Sequence, residues 1–521
     1  MAESSDRPNG APHALAALAA GAPRAVAAAV LSYLVLLWAL RVALFPGASQ
    51  DDAEQMLLSQ AWAWGYDLAN PPLFTWLVIA VERLVGISVA AVEGVKFAAL
   101  AATYLLIYAT GRQVLRDDRL AMLSALSLLA IYYVAWDAVL SYSHSVLLTT
   151  ACAATFLALL RLDRAPALSS YALLGLCLGL GGLTKYNFAL VATALAIAAM
   201  TDADLRRRLL DPRIALTVAI AAAIAAPHGI WLLDRLGGAG ALVSERLYAG
   251  EQASHLVRVG HGLFDVTQST IGFLSPLWIL LLLFFPRAYR PLKDGDRETA
   301  RYHRVLTVYL CAIVGLIVVI VMAVGATRVR TSYMFVLILF PVFFFARVQA
   351  IAAGPAALRR FGLAMAALAA LVPAGLVAKD VIDPSRCRKC YLHVPYGEIA
   401  DALRAAGFET GTIFAWLHRH YIGGNLRPHF PAARIVGMKH RGFVPPATGD
   451  SGQCLLIWDA DQPSDPAAIK ASVVGEAARL FGAEIDESAT VHEIMRPIGD
   501  SAERRINLRY ILVKDGSGGC R

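Results

Sequence analysis

Apolar runs long enough to cross a bilayer, at ~20 residues per helix, recur along most of the chain. They cover 27–45, 94–113, 119–136, 143–161, 168–184, 186–201, 214–233, 270–286, 305–325, 333–350 and 361–378. The pattern predicts about eleven membrane-spanning helices. A further stretch, 71–90, is interrupted by Glu82 and Arg83. After residue 378 the period changes. TIFAW, ARIVG, QCLLIWD and LRYILVK read as short strands by their β-branched content. EIADALRAAGF and DPAAIKASVVGEAARLFG read as amphipathic helices. The expected architecture is a polytopic α-helical membrane protein with a C-terminal α/β domain. It divides into a disordered tail (1–25), a membrane domain (26–378) and the α/β domain (379–521).

Composition agrees with this pattern: of 521 residues, 58% are hydrophobic and 17% charged. The net charge is +8, but the basic residues fall in short loops between apolar runs, so they mark topology rather than a nucleic-acid surface. Arg112, Arg116 and Arg119, then Arg206, Arg207, Arg208 and Arg213, then Arg287, Arg290 and Lys293 all fall on one face, which is therefore cytoplasmic. The first run leaves that face and the 94–113 run returns to it. Both ends of 46–93 then lie outside, and 71–90 lies on the outer surface or dips in and returns. By the same reasoning 168–201 is a hairpin with Thr184-Lys185-Tyr186-Asn187 at its outer tip. Arg41, near the end of the first run, is expected to snorkel to the interface.

The candidate chemistry collects on the outer face. Asp51, Asp52 and Glu54 follow the first run, with no Lys or Arg between Phe45 and Trp76. Acid beside a membrane is costly and marks a site. Asp137 and His144 flank another outer turn, Lys185 sits at the hairpin tip, and Arg328 and Arg330 follow the 305–325 run. Carboxylates can deprotonate an acceptor hydroxyl, and Lys or Arg can hold a leaving phosphate. Asp51 or Asp52 could equally cap a helix over 52–64. His255 and His261, read as part of a long loop over 234–269, are an incomplete metal set. Cys152, Cys177 and Cys311 lie in apolar runs and read as core residues. Cys387, Cys390, Cys454 and Cys520 lie outside, where disulfides persist, and their pairing is open.

The acidic pair Asp51-Asp52, Pro71-Pro72-Leu73 about twenty residues on, and Gly182-Leu183-Thr184-Lys185-Tyr186 resemble the GT-C glycosyltransferases of family 39. That family includes dolichyl-phosphate-mannose–protein mannosyltransferases and aminoarabinose transferases. Gly424-Asn425-Leu426-Arg427 with Phe430-Pro431 resembles a proteobacterial branch that modifies lipid A or core sugars. The resemblance covers roughly 26–378 and, more loosely, the outer domain. It implies membrane-surface helices in the first outer loop, a polyprenyl-phosphate-linked sugar donor and inversion at the anomeric carbon. It makes Asp51 the general base, with Asp52 where the family usually has Glu. The family's second acid begins the span matching 143–161. Here that place reads Ser143-His144-Ser145, so Asp137 or His144 takes the role. Lys185, Arg328 and Arg330 become candidates for the donor phosphate.

The expectation is an inverting glycosyltransferase in a bacterial inner membrane. It would act at the periplasmic face on lipid A, lipopolysaccharide core or a similar acceptor, as a monomer among membrane lipids and without nucleic acid. A divalent metal ion held by Asp51 and Asp52 is the one candidate cofactor. The alternative is a transporter of a lipid-linked sugar, which would place its polar groups near the bilayer midplane.

Overall fold

The structure is a computed structural model. It describes residues 17–235, 253–290, 297–386, 390–416, 421–437, 443–447, 452–460, 465–483, 485–486, 489–499, 504–514 and 520. Of the expected tail, residues 1–16 lie outside the described residues, as does Cys387.

Among the described residues six helices are long and apolar enough to cross a membrane: Pro23–Leu44, Val89–Val114, Ser143–Arg164, Ile214–Leu233, Arg297–Val324 and Pro355–Pro384. A seventh arises if the bent pair Thr331–Leu337 and Phe340–Ala350 is one span. The expected eleven therefore reduce to fewer unbroken crossings. The 119–136 run breaks into the helix Asp118–Leu126, a 3-10 turn over Ser127–Ala130 and a π turn over Tyr133–Asp137. The 168–201 hairpin consists of two shorter apolar helices, Leu168–Gly182 and Phe188–Thr201. The 270–286 run is split between His255–Phe273 and Leu277–Phe284. His255 and His261 thus lie on a helix rather than in the expected loop. Of the membrane-domain cysteines, Cys152 is buried but Cys311 is exposed, so Cys311 is not a core residue.

The first loop forms two short helices, Gln50–Leu58 and Leu73–Val85. At ~1.5 Å per residue, neither reaches across a bilayer, as expected for 71–90.

The C-terminal region carries a five-stranded mixed sheet, β1 (Thr412–Trp416), β2 (Arg434–Gly437), β3 (Cys454–Asp459), β4 (His492–Pro497) and β5 (Arg505–Val513), in the order β2-β1-β3-β5-β4. β1 runs parallel to β2 and β3, and β5 runs antiparallel to β3 and β4. Four of the five strands are legible in the sequence. β4 is not, because its burial is mostly one residue, Ile494, among exposed neighbours. The helix Pro466–Phe481 covers one face of the sheet. The other face shares a core with Leu57, Leu58, Tyr66 and Ile79 of the first loop. The sheet therefore sits on the acidic loop. Cys454 and Cys520 form a disulfide, and Cys390 is disulfide-bonded as well.

Candidate active site

The helix Gln50–Leu58 begins at Ser49, not at an aspartate. Ser49 is the N-cap and accepts from the Asp52 N–H at 3.4 Å, while its hydroxyl donates to Asp52 Oδ2 at 2.6 Å. Ser49 thus caps the helix through its side-chain oxygen, and Asp52 accepts a hydrogen bond from the Ser49 hydroxyl rather than from a backbone N–H. The expected capping by Asp51 or Asp52 is thereby corrected, and Asp51 is left for other work.

Asp52 is fully buried. Its carboxylate accepts from Ser49, from Ser143 Oγ at 2.7 Å and from Lys96 Nζ at 2.9 Å. Lys96 also meets Glu93 at 2.8 Å, and Glu93 meets Arg41 at 2.9 Å. Arg41 does not snorkel: it is buried, and it donates to the Phe45 and Gly47 carbonyls at 2.9 Å each. Two cations and two carboxylates thus form one closed chain under the loop. Burial pushes the Asp52 carboxyl up, but Lys96 and the two hydroxyls outweigh it and hold it at about 2.

Asp51 faces the other way. It lines a cavity of about 490 Å³ with Asp137, Tyr142, Arg330, Lys379, Asp383, Tyr391 and Tyr421. Burial, and then the neighbouring Asp52 charge, raise its affinity for a proton above that of an ordinary carboxylate; Lys185 and Lys96 act against this. The backbone of Tyr142, in the left-handed region at φ 69°, hydrogen-bonds Asp51. A non-glycine residue there costs about 1–3 kcal/mol, and such strain clusters at functional sites. Tyr391 and Tyr421 stack face to face, with centroids 4.0 Å apart, on the wall opposite the membrane domain.

The cavity brings together Asp51, Asp137 and Arg330. Asp137, raised by burial, hydrogen-bonds Tyr132. Lys185 does not line the cavity, but its charge reaches Asp51, and its ammonium donates to Ser145 Oγ at 2.7 Å. Arg328 is exposed and outside it. His144 is buried behind the loop. Its Nδ1 lies 3.3 Å from the Thr184 carbonyl, which can only accept, so Nδ1 carries the proton and Nε2 accepts from Gln55 at 3.0 Å. Gln55 in turn accepts from Thr75 at 2.6 Å. His144 thus ties the loop helices to the hairpin tip, while Asp137 is the acid that shares the cavity with Asp51. Asp52 is occupied by three side-chain donors, and no third His, Cys, Asp or Glu joins Asp51 and Asp52 in a metal-ligand group among the described residues.

Sequence reasoning missed the residues that hold the acidic helix from above. Residues 421–427 grip it at both ends. Asn425 Oδ1 accepts from the Ala48 N–H at 2.7 Å, just before the N-cap. Arg427 donates to the Met56 carbonyl and to the Ser59 side chain, and donates to the Ser59 carbonyl at 3.2 Å, which covers the helix C-terminus. It also pairs with buried Glu82 at 3.1 Å. Between them Gly424 lies so close that a Cβ would stand 2.0 Å from the Ala53 carbonyl oxygen. The resemblance in Gly424-Asn425-Leu426-Arg427 was the available signal. Gly424→Ala is expected to displace the acidic helix and lower kcat by roughly 10²-fold, since about 1 Å of misplacement costs that much, with KM for the donor little changed. Steady-state kinetics on the purified variant check it; a wild-type kcat would remove the segment from the site.

The pattern of the family described as "Dolichyl-phosphate-mannose-protein mannosyltransferase" matches residues 69–231. Lipopolysaccharide core galacturonosyltransferase RgtB of Rhizobium johnstonii is 33% identical over 436 residues, covering 83% of this chain and 86% of that protein. RgtA of the same organism, also a lipopolysaccharide core galacturonosyltransferase, is 32% identical over 433 residues, covering 82% and 85%. In fold the chain is similar to ArnT from Cupriavidus metallidurans bound to undecaprenyl phosphate, with a TM-score of 0.57 at 13% identity over 92% of this chain and 97% of that one. Apo ArnT gives 0.55. The extended match to the galacturonosyltransferases, with the GT-C fold around an acidic first loop, makes this chain a glycosyltransferase and a member of the GT-C family that includes the dolichyl-phosphate-mannose–protein mannosyltransferases.

Proposed function

We propose that this chain transfers a hexuronic acid, by its relatives galacturonic acid, from a polyprenyl-phosphate carrier to a lipopolysaccharide core at the periplasmic face of the inner membrane. The observation that carries the reading is Asp51. It is a carboxylate with raised proton affinity, held by a strained turn, in a cavity that also offers a cation.

In the reaction the acceptor hydroxyl oxygen attacks the anomeric carbon. Its proton passes to Asp51 as the new C–O bond forms. The bond from the anomeric carbon to the phosphate oxygen breaks, and the polyprenyl phosphate leaves with that electron pair. Attack opposite the leaving group inverts the centre. Arg330 on the cavity wall and Lys185 beside it balance the charge on the departing phosphate. Asp137 and the Tyr391–Tyr421 stack line the same cavity and are the groups offered to the acceptor sugar. The buried chain from Asp52 to Arg41 keeps the loop in place and takes no proton. No observation favours the transporter reading.

Mass spectrometry of lipopolysaccharide core tests it. Cells that carry the protein are expected to show one more hexuronic acid on the core than cells that lack it. Purified protein is expected to transfer from a polyprenyl-phosphate-linked uronic acid and not from a neutral hexose donor. Identical core masses with and without the protein would sink the proposal.

A further inference from the structure

A second cavity lies at the far end of the membrane domain. It is a groove of about 670 Å³ between the helices Pro23–Leu44, Asp118–Leu126 and Pro355–Arg386, a size that suits one bound ligand. Arg359, on its wall, and Lys379, on the wall of the Asp51 cavity, stand on the same helix. Their twenty-residue separation amounts to roughly 30 Å at 1.5 Å per residue. The groove is therefore not part of the transfer site.

Among the described residues its walls are almost wholly apolar, and the charges on them are the guanidinium groups of Arg119 and Arg359. No Asp or Glu lines it among the described residues. Both arginines are exposed, and neither guanidinium has an ion-pair partner among the described residues. On the wall, the Tyr33 hydroxyl is buried without a hydrogen-bond partner among the described residues. Buried hydroxyls are seldom left so.

We infer that this groove binds an anionic glycerophospholipid. The two guanidinium groups would take the phosphate at the rim, as basic pockets between spanning helices do, and an acyl chain would fill the apolar chamber. A free phosphate or other soluble anion would leave the chamber unfilled, and a zwitterionic lipid would bring a quaternary ammonium of its own against the two arginines, offsetting the attraction of its phosphate. The ligand is thus an amphiphile with a negative head.

Native mass spectrometry of the purified full chain, incubated with phosphatidylglycerol or with phosphatidylcholine of the same acyl chains, tests this. Wild type is expected to favour phosphatidylglycerol by roughly 10- to 30-fold. Arg119→Gln with Arg359→Gln is expected to erase that preference. Gly362→Leu leaves both charges but fills the chamber, since Gly362 lines the groove and a Cβ there meets only Leu123 at 3.6 Å. It is expected to lower binding of both lipids. Equal binding of the two lipids by wild type overturns the proposal, as does an unchanged preference in the double Arg variant. If the double Arg variant loses a dimer rather than a lipid adduct, the face belongs to a second copy, and the proposal falls.

Discussion

Asp51→Asn is expected to lower kcat by about 10²–10⁴-fold, the usual contribution of a positioned general base, with little change in expression or melting. Asn keeps the shape and can still accept a hydrogen bond from the Tyr142 backbone. It cannot take the acceptor's proton. The pH profile carries the same expectation. As the proposed base Asp51 would work only when ionised, and burial and Asp52 raise its proton affinity. The rate should therefore be full at high pH and fall as pH drops through a value above the ordinary ~3.9 of an aspartate. Asp52, held at about 2 by its partners, stays ionised throughout that range and adds no second step. The acid limb should disappear from the residual rate of Asp51→Asn. Transfer by Asp51→Asn at the wild-type rate, or an acid limb that survives the substitution, would take the base role away from Asp51.

Asp51 was legible because its position is a contradiction in the sequence: acid at the end of an apolar run with no basic residue near it. The chain's other half of that contradiction was not. Lys96 reads as one more topology charge, since nothing in a linear pattern says that it meets Asp52 forty-four positions away. A hint was present in Glu93 and Lys96, three apart inside an apolar run and so on one helix face. Glu82 gave the same kind of hint for 71–90, and its partner Arg427 lies far beyond it in sequence. Runs were legible as apolar but not as continuous helix. The 119–136 run keeps its hydropathy through a 3-10 and a π turn, because hydropathy does not register backbone dihedrals. That break is what brings Asp137 into the cavity with Asp51. Seeing that Asp137 and not His144 shares the cavity with Asp51 therefore needed the fold, as did seeing that Ser49 rather than an aspartate caps the acidic helix.

Lys96→Met is expected to destabilise the protein by about 3–5 kcal/mol, the cost of leaving a buried charge without its partner. In the wild type Arg41 and Lys96 balance Glu93 and Asp52 in a chain with no solvent contact. Removing Lys96 leaves two carboxylates and one guanidinium in the same space. Asp52→Asn alone makes the opposite error and leaves two cations against Glu93. The double variant, Lys96→Met with Asp52→Asn, keeps one neutral pair, Arg41 with Glu93, and the amide oxygen that replaces the Asp52 carboxylate can still accept from the Ser49 or Ser143 hydroxyl. It should therefore melt closer to wild type than either single variant, with a coupling of the size seen between residues in one network, about 0.5–3 kcal/mol. Thermal unfolding of the four proteins in one detergent measures this cycle. Additive losses would mean that Lys96 and Asp52 act independently. The same cycle separates scaffold from chemistry, because the double variant retains Asp51, Arg330 and Lys185. If the buried chain only positions the loop, recovery of stability should be accompanied by recovery of transfer. A stable double variant without transfer would instead place Asp52 in the reaction itself.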